Sequence, residues 1–103
     1  MKVKWMPLPL RQVREAAKYI QKEFGKKVRD EFMKEVHNSS SLIGRSPNVG
    51  IVEPLLADRP VMYRSYVVNR LNKIVYRIVD DYIEIAAFWD VRREPGVLAS
   101  QVR

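Results

Sequence analysis

The apolar residues of this chain change their spacing part-way along, and that switch limits the folds open to it. Leu10, Val13, Ala17, Ile20 and Phe24 recur every three or four residues, which places them on one stripe of a helix. A second stripe follows at Val28, Phe32, Val36 and Ser39, with Met33 and Ile43 beside it. Gly25 and two lysines separate the two, and glycine suits the left-handed conformation that ends a helix, so an antiparallel helical hairpin is expected. From residue 62 the period falls to two. Segments 62–68 (MYRSYVV), 73–79 (KIVYRIV) and 82–89 (YIEIAAFW) are rich in β-branched and aromatic residues, as strands are. Residues 69–72 and the pair Asp80-Asp81 have the composition of hairpin turns, and the aspartates read as a turn rather than a metal site.

The ends complete the outline. Residues 2–6 (KVKWM) alternate charged and apolar side chains, as a short first strand would, and Pro7 and Pro9 then lead into the first helix. Asn38 and the three serines after it should loosen the end of the second helix, because their side chains compete for backbone hydrogen bonds. Residues 44–60, which run from Gly44 and hold Pro47, Gly50, Pro54 and Pro60, read as a long connection holding one short extended piece. The expected fold is α+β: an N-terminal strand, a helical hairpin, then a three-stranded antiparallel meander packed on the helices. In the middle strand Ile74, Tyr76 and Ile78 face the helices, while Lys73, Val75, Arg77 and Val79 face the other way. A length of 103 residues fits one domain over 1–103.

Charge narrows the partners. Nineteen Lys and Arg against twelve Asp and Glu give +7, which favours nucleic acid, the ribosome or an acidic protein. Residues 1–43 hold ten basic and five acidic groups, so most of the excess lies on the helices, where it reads as a solvated surface. Cysteine is absent and His37 is the only histidine, which excludes disulfides, thiolate metal sites and multi-histidine sites. No cofactor or metal is implied. The start MKVKWMPLPL is unlike a signal peptide, and no apolar run approaches the roughly 20 residues needed to span a bilayer, so a cytoplasmic protein without a membrane partner is expected.

Several local patterns occur in a recognisable order. They are Leu42-Ile43-Gly44-Arg45-Ser46-Pro47-Asn48-Val49-Gly50, the strand start Tyr63-Arg64, the strand Ile74-Val75-Tyr76-Arg77-Ile78-Val79, and the close Arg92-Arg93-Glu94-Pro95. Together they resemble the RelE/ParE toxin superfamily of type II toxin–antitoxin and plasmid stabilisation systems, over nearly the whole chain. The resemblance implies a toxin held inactive in a hetero-oligomer with a cognate antitoxin, through which the complex binds its own operator. Two branches are implied: RelE-like mRNA interferases, which cleave messenger RNA in the ribosome, and ParE-like poisons of DNA gyrase.

The residues bear on that choice. Cleavage by an internal 2′-hydroxyl needs a base, cations for the phosphorane and an acid for the leaving oxygen. Lys73 and Arg92 match positions that the RelE-like branch fills with catalytic basic residues, and Arg77 joins them as a candidate. Leu98 stands where that branch places a tyrosine, and the tail after Arg92 has neither tyrosine nor histidine. Glu84, Asp90 and Tyr76 are the acid–base candidates left. A gyrase poison needs only a complementary surface, so the ParE-like branch is favoured. Arg64, Arg92 and Arg93 are candidates for contact with a target or a phosphate, and Arg64 could instead pair with Glu84 or Asp90 across strands. Trp89 reads as a core aromatic and His37 as a surface residue. A small nucleic-acid-binding module ranks last, since no glycine-bearing RNA-binding motif is present. Finally, the apolar strands 62–68 and 82–89 should leave a sheet edge open to an extended, acidic antitoxin segment.

Overall fold

The structure, a computed structural model, describes residues 1–92 and 100–102. The chain runs β1 (Lys2–Trp5), α1 (Pro7–Phe24), α2 (Lys26–Arg45), β2 (Ile51–Val52), a 3₁₀ turn (Pro54–Leu56), β3 (Arg64–Val67), β4 (Asn72–Val79) and β5 (Tyr82–Asp90). The meander β3–β4–β5 is there, widened by a strand on each side. The order across the sheet is β1-β5-β4-β3-β2, with β1 parallel to β5 and every other pairing antiparallel. The strands 62–68 and 82–89 are therefore not the edges. Those are β1 and β2, and two residues are too few to show a period, which is why β2 was only an extended piece in the sequence.

Proline in the first turn of α1 removes only N–H groups that have no helical partner. Gly25, at φ 93°, is the whole connection to α2, a conformation in which an L side chain would be strained. The second helix does not loosen at Asn38. It runs on to Arg45, because Ser39 is buried and Ser40 Oγ accepts a hydrogen bond from Trp5 Nε1 at 3.1 Å, so these hydroxyls are drawn into tertiary packing. At the β3–β4 turn, Asn69 Oδ1 accepts from the Leu71 and Asn72 N–H groups at 2.8 and 3.0 Å. Asp80, at φ 50°, closes the two-residue turn between β4 and β5.

The sheet has apolar cores on both faces. Against the helices lie Ile74, Tyr76, Ile83, Ile85 and Phe88, with Val13, Ala17, Phe32, Val36 and Ile43 above them. Phe32 meets the Phe88 ring edge-on at 5.9 Å. The helical stripes are shorter than their spacing suggests: Phe24 and Val28, at the far end of the hairpin, are 65% and 41% exposed. On the other face Leu56, Tyr63, Val75, Ala87, Trp89 and Val102 form a second cluster. A β-bulge makes both clusters possible. Val75 opposes Ala87 while Tyr76 opposes Ile85, so Ala86 is the extra residue and Ile85 and Phe88 both reach the helices.

Among the described residues no helix is long and apolar enough to cross a membrane, and no three His, Asp or Glu side chains are grouped to hold a metal.

Candidate functional site

The face of the sheet away from the helices was expected to present cations, and it holds them in ion pairs. Lys73 lies between Val67 of β3 and Trp89 of β5. Its ammonium pairs with Glu53 Oε1, and the side chains are 16% and 1% exposed. Glu53 sits where β2 runs into the 3₁₀ turn. Its backbone N–H donates to Tyr63 O at 2.8 Å and its Oε2 accepts from the Leu55 N–H at 3.2 Å. The carboxylate thus has a partner for each oxygen, which a buried charge requires. Glu53 was missed in the sequence. Its only signal there is a lone carboxylate inside the apolar run around Pro54.

Arg77 lies on the same face four residues along β4, about 13 Å from Lys73 along the strand. It faces Glu84 across the β4–β5 pair, and Arg77 Nε meets Glu84 Oε1 at 3.0 Å. That hydrogen bond holds the guanidinium above its usual pKa, against the opposing effect of burial. Arg92 stands beyond the end of β5 and folds back on Asp90, with Nε and Nη2 on the two carboxylate oxygens at 3.1 and 2.8 Å. Its own N–H donates to Asp90 Oδ1 at 2.9 Å, and the hydrogen bond to Asp90 raises its pKa as well. The Arg92 side chain is 66% exposed. Each of the three candidate catalytic cations therefore has a carboxylate of its own. Arg93, Leu98 and the Glu94-Pro95 pair lie outside the described residues.

Arg64 belongs to the opposite face. Its register partner is Tyr76, and directly paired residues share a side of the sheet. β4 lies between β3 and β5, so pairing with Glu84 or Asp90 does not occur. Arg64 Nη1 instead donates to Gly50 O at 2.8 Å. Beside it the buried Tyr76 hydroxyl donates to Pro47 O at 2.7 Å and accepts from the Gly50 N–H at 3.0 Å. Arg64 and Tyr76 thus bind the connection 47–50 to the sheet. A methyl group at Gly50 would lie 2.7 Å from Ser65 O and 2.8 Å from the Tyr76 hydroxyl. Gly50→Ala should therefore lower unfolding stability by about 1–3 kcal/mol, read from urea midpoints. His37 is exposed and Trp89 buried, as expected.

Chemically, the arrangement neutralises its own cations. No protein-family model matches the sequence, and a search of curated proteins finds no match. Solved structures do match. A chain of the chromosomal ParDE TA system from P. aeruginosa superposes with a TM-score of 0.73 at 15% identity, over 88% of this chain and 96% of that one. A second, from a YoeB dimer of Staphylococcus aureus, gives 0.53 at 24% identity, over 84% and 92%. The chain has the fold of the RelE/ParE toxin superfamily.

Proposed function

We propose that this chain is the toxin of a type II toxin–antitoxin pair, of the ParE-like kind. It arrests growth by docking on a cellular target such as DNA gyrase, and a cognate antitoxin neutralises it. The observation that carries this reading is the pairing of Lys73, Arg77 and Arg92 with Glu53, Glu84 and Asp90. A nuclease must keep cations free to meet a phosphorane, and separating such pairs costs binding energy that docking does not require. The higher TM-score to the ParDE chain than to the YoeB chain points the same way. Target contact is assigned to Arg92, exposed at the end of the sheet, with Arg93 next in sequence and Arg64.

The test is inducible expression in a bacterial host, scored for viability, DNA breaks and messenger integrity. Growth arrest with filamentation and gyrase-dependent breaks is expected. Arg92→Glu should raise survival about tenfold or more and weaken target binding about tenfold, the latter corresponding to about 1.4 kcal/mol. Messenger cleavage at ribosomes would instead establish the RelE-like reading and make Lys73, Arg77 and Arg92 catalytic. Growth without arrest would refute the toxin reading.

A further inference from the structure

The two helices carry their basic residues differently. On α2 the exposed Lys26, Lys27 and Lys34 share a hollow with Asp30 and Glu31, and Arg29 pairs with Asp30 at 2.9 Å. That surface balances its own charge. On α1 the exposed Arg11, Arg14, Lys18 and Lys22 follow one another at intervals of three and four residues. At 3.6 residues per turn they fall within an arc of about 80°, turned away from the buried Pro9, Val13 and Ala17, and run for about 16 Å along the helix. Glu23 lies off this arc, and Glu15 at its edge is the carboxylate beside it. Among the described residues none of these cations has a carboxylate within ion-pair distance, unlike Arg29, Lys73, Arg77 and Arg92.

The crest of the stripe limits what it can hold. Beside the cations it shows Glu15 and Gln21, and no apolar, aromatic or hydroxyl side chain. A protein interface is built around an apolar centre, and single-stranded RNA is held by rings on which its bases stack. Double-stranded RNA is recognised in part through its 2′-hydroxyls, which the crest has no hydroxyl to meet. Phosphates need none of these. A DNA duplex places a charge on each strand about every 3.4 Å of its axis, so a straight row of about 16 Å meets several of them. The flank of the stripe adds to it. Gln12 Oε1 accepts from the Phe88 N–H at 3.2 Å, which sets the end of β5 along one side of α1. Tyr19 on that side lies close enough to Arg92 to bear on its charge, so the exposed Arg92 extends the cationic surface past the helix.

We propose that the outer face of α1 binds the phosphate backbone of duplex DNA, without regard to sequence, through Arg11, Arg14, Lys18 and Lys22. The fold need not rearrange, since these side chains already stand in solvent. The charge on α2 is a solvated surface, as the sequence suggests for both helices, and the charge on α1 is a binding face. The site goes beyond target arrest: it depends on where these cations stand and not on whether gyrase is the target.

The test is fluorescence anisotropy of a labelled DNA duplex of about 20 base pairs, titrated with the full chain from about 50 to 200 mM salt. Release of counterions at four phosphates gives a log–log slope of about −3.6, so affinity should fall on the order of 100-fold across that range. Arg14→Ala/Lys18→Ala should weaken binding at the lower salt about tenfold or more and bring the slope to about −1.8. Its melting curve should persist, because alanine suits an exposed helical position. Lys26→Ala/Lys27→Ala removes the same charge from α2 and should change affinity less than about threefold, since it acts only through screened, longer-range attraction. Should the α1 variant unfold, Lys18→Gln/Lys22→Gln decides, with the same loss expected. Equal losses from the α1 and α2 variants would mean that net charge alone attracts the DNA. That result, no binding at the lower salt, or equal or tighter binding of an RNA duplex of the same sequence or of polyglutamate, would overturn the proposal.

Discussion

Lys73→Met should destabilise the protein by about 3–5 kcal/mol, because it leaves the Glu53 carboxylate, 1% exposed, without its cation. For a domain of this size that corresponds to a fall in melting temperature on the order of 15–30 °C. Total stability is expected at roughly 5–15 kcal/mol, so the variant sits close to unfolding. The opposite single change should cost less. In Glu53→Gln the stranded ammonium belongs to a side chain that is 16% exposed and can reach water on its flexible stem. The double variant, with both charges gone, should recover about 2 kcal/mol or more relative to Lys73→Met alone. Denaturant curves for the four proteins of the cycle measure the coupling. A coupling near zero would mean that the pair does not hold the second core together. The cycle also separates two roles for Lys73. If it only supports the fold, toxicity of Lys73→Met falls in step with the folded fraction and returns in the double variant. If it acts on RNA, activity stays lost in the double variant although the fold is restored.

The same pair shows where the sequence stops being informative. Helices, meander and turns were legible because each announces itself within ten or so residues, through a period or a turn dipeptide. Glu53 and Lys73 are twenty residues apart, and neither carries a local mark of its partner. The second core was half visible. Val75 and Trp89 are apolar residues on a face read as cationic, and Ala87 opposite Val75 fits only if that face is packed. The bulge was visible too: Ile83 and Ile85 share a parity that Phe88 breaks, with two alanines between. A strict two-residue period passes over such a break. The end of α2 was misread for a different reason. The serines' tendency to leave a helix is a local property, and burial of Ser39 with the bond from Trp5 to Ser40 overrides it. For the candidate site, the cations were found and their carboxylates largely were not, since cross-strand partners depend on a register that composition does not fix.

Tyr76→Phe should cost about 2–4 kcal/mol, because the hydroxyl serves two backbone groups of the same connection. It donates to Pro47 O and accepts from the Gly50 N–H, and Phe leaves both without that partner in a buried setting. The change should also remove an alkaline limb from the stability profile. Burial raises the Tyr76 pKa above the ordinary 10.0, outweighing the Gly50 hydrogen bond and the Arg64 charge, which both lower it. A folded-state pKa above the unfolded one means that the folded protein holds this proton longer. The contribution is therefore fully present below about pH 10 and is lost as pH rises through the folded value. Urea midpoints measured from pH 8 to 11 should fall more steeply for the native protein than for Tyr76→Phe, so that the gap between them narrows towards the alkaline end. A gap that stays constant would mean that the phenol ionises alike in both states. It would also remove burial as the reason Arg64 and Tyr76 can tie the connection 47–50 to the sheet from below.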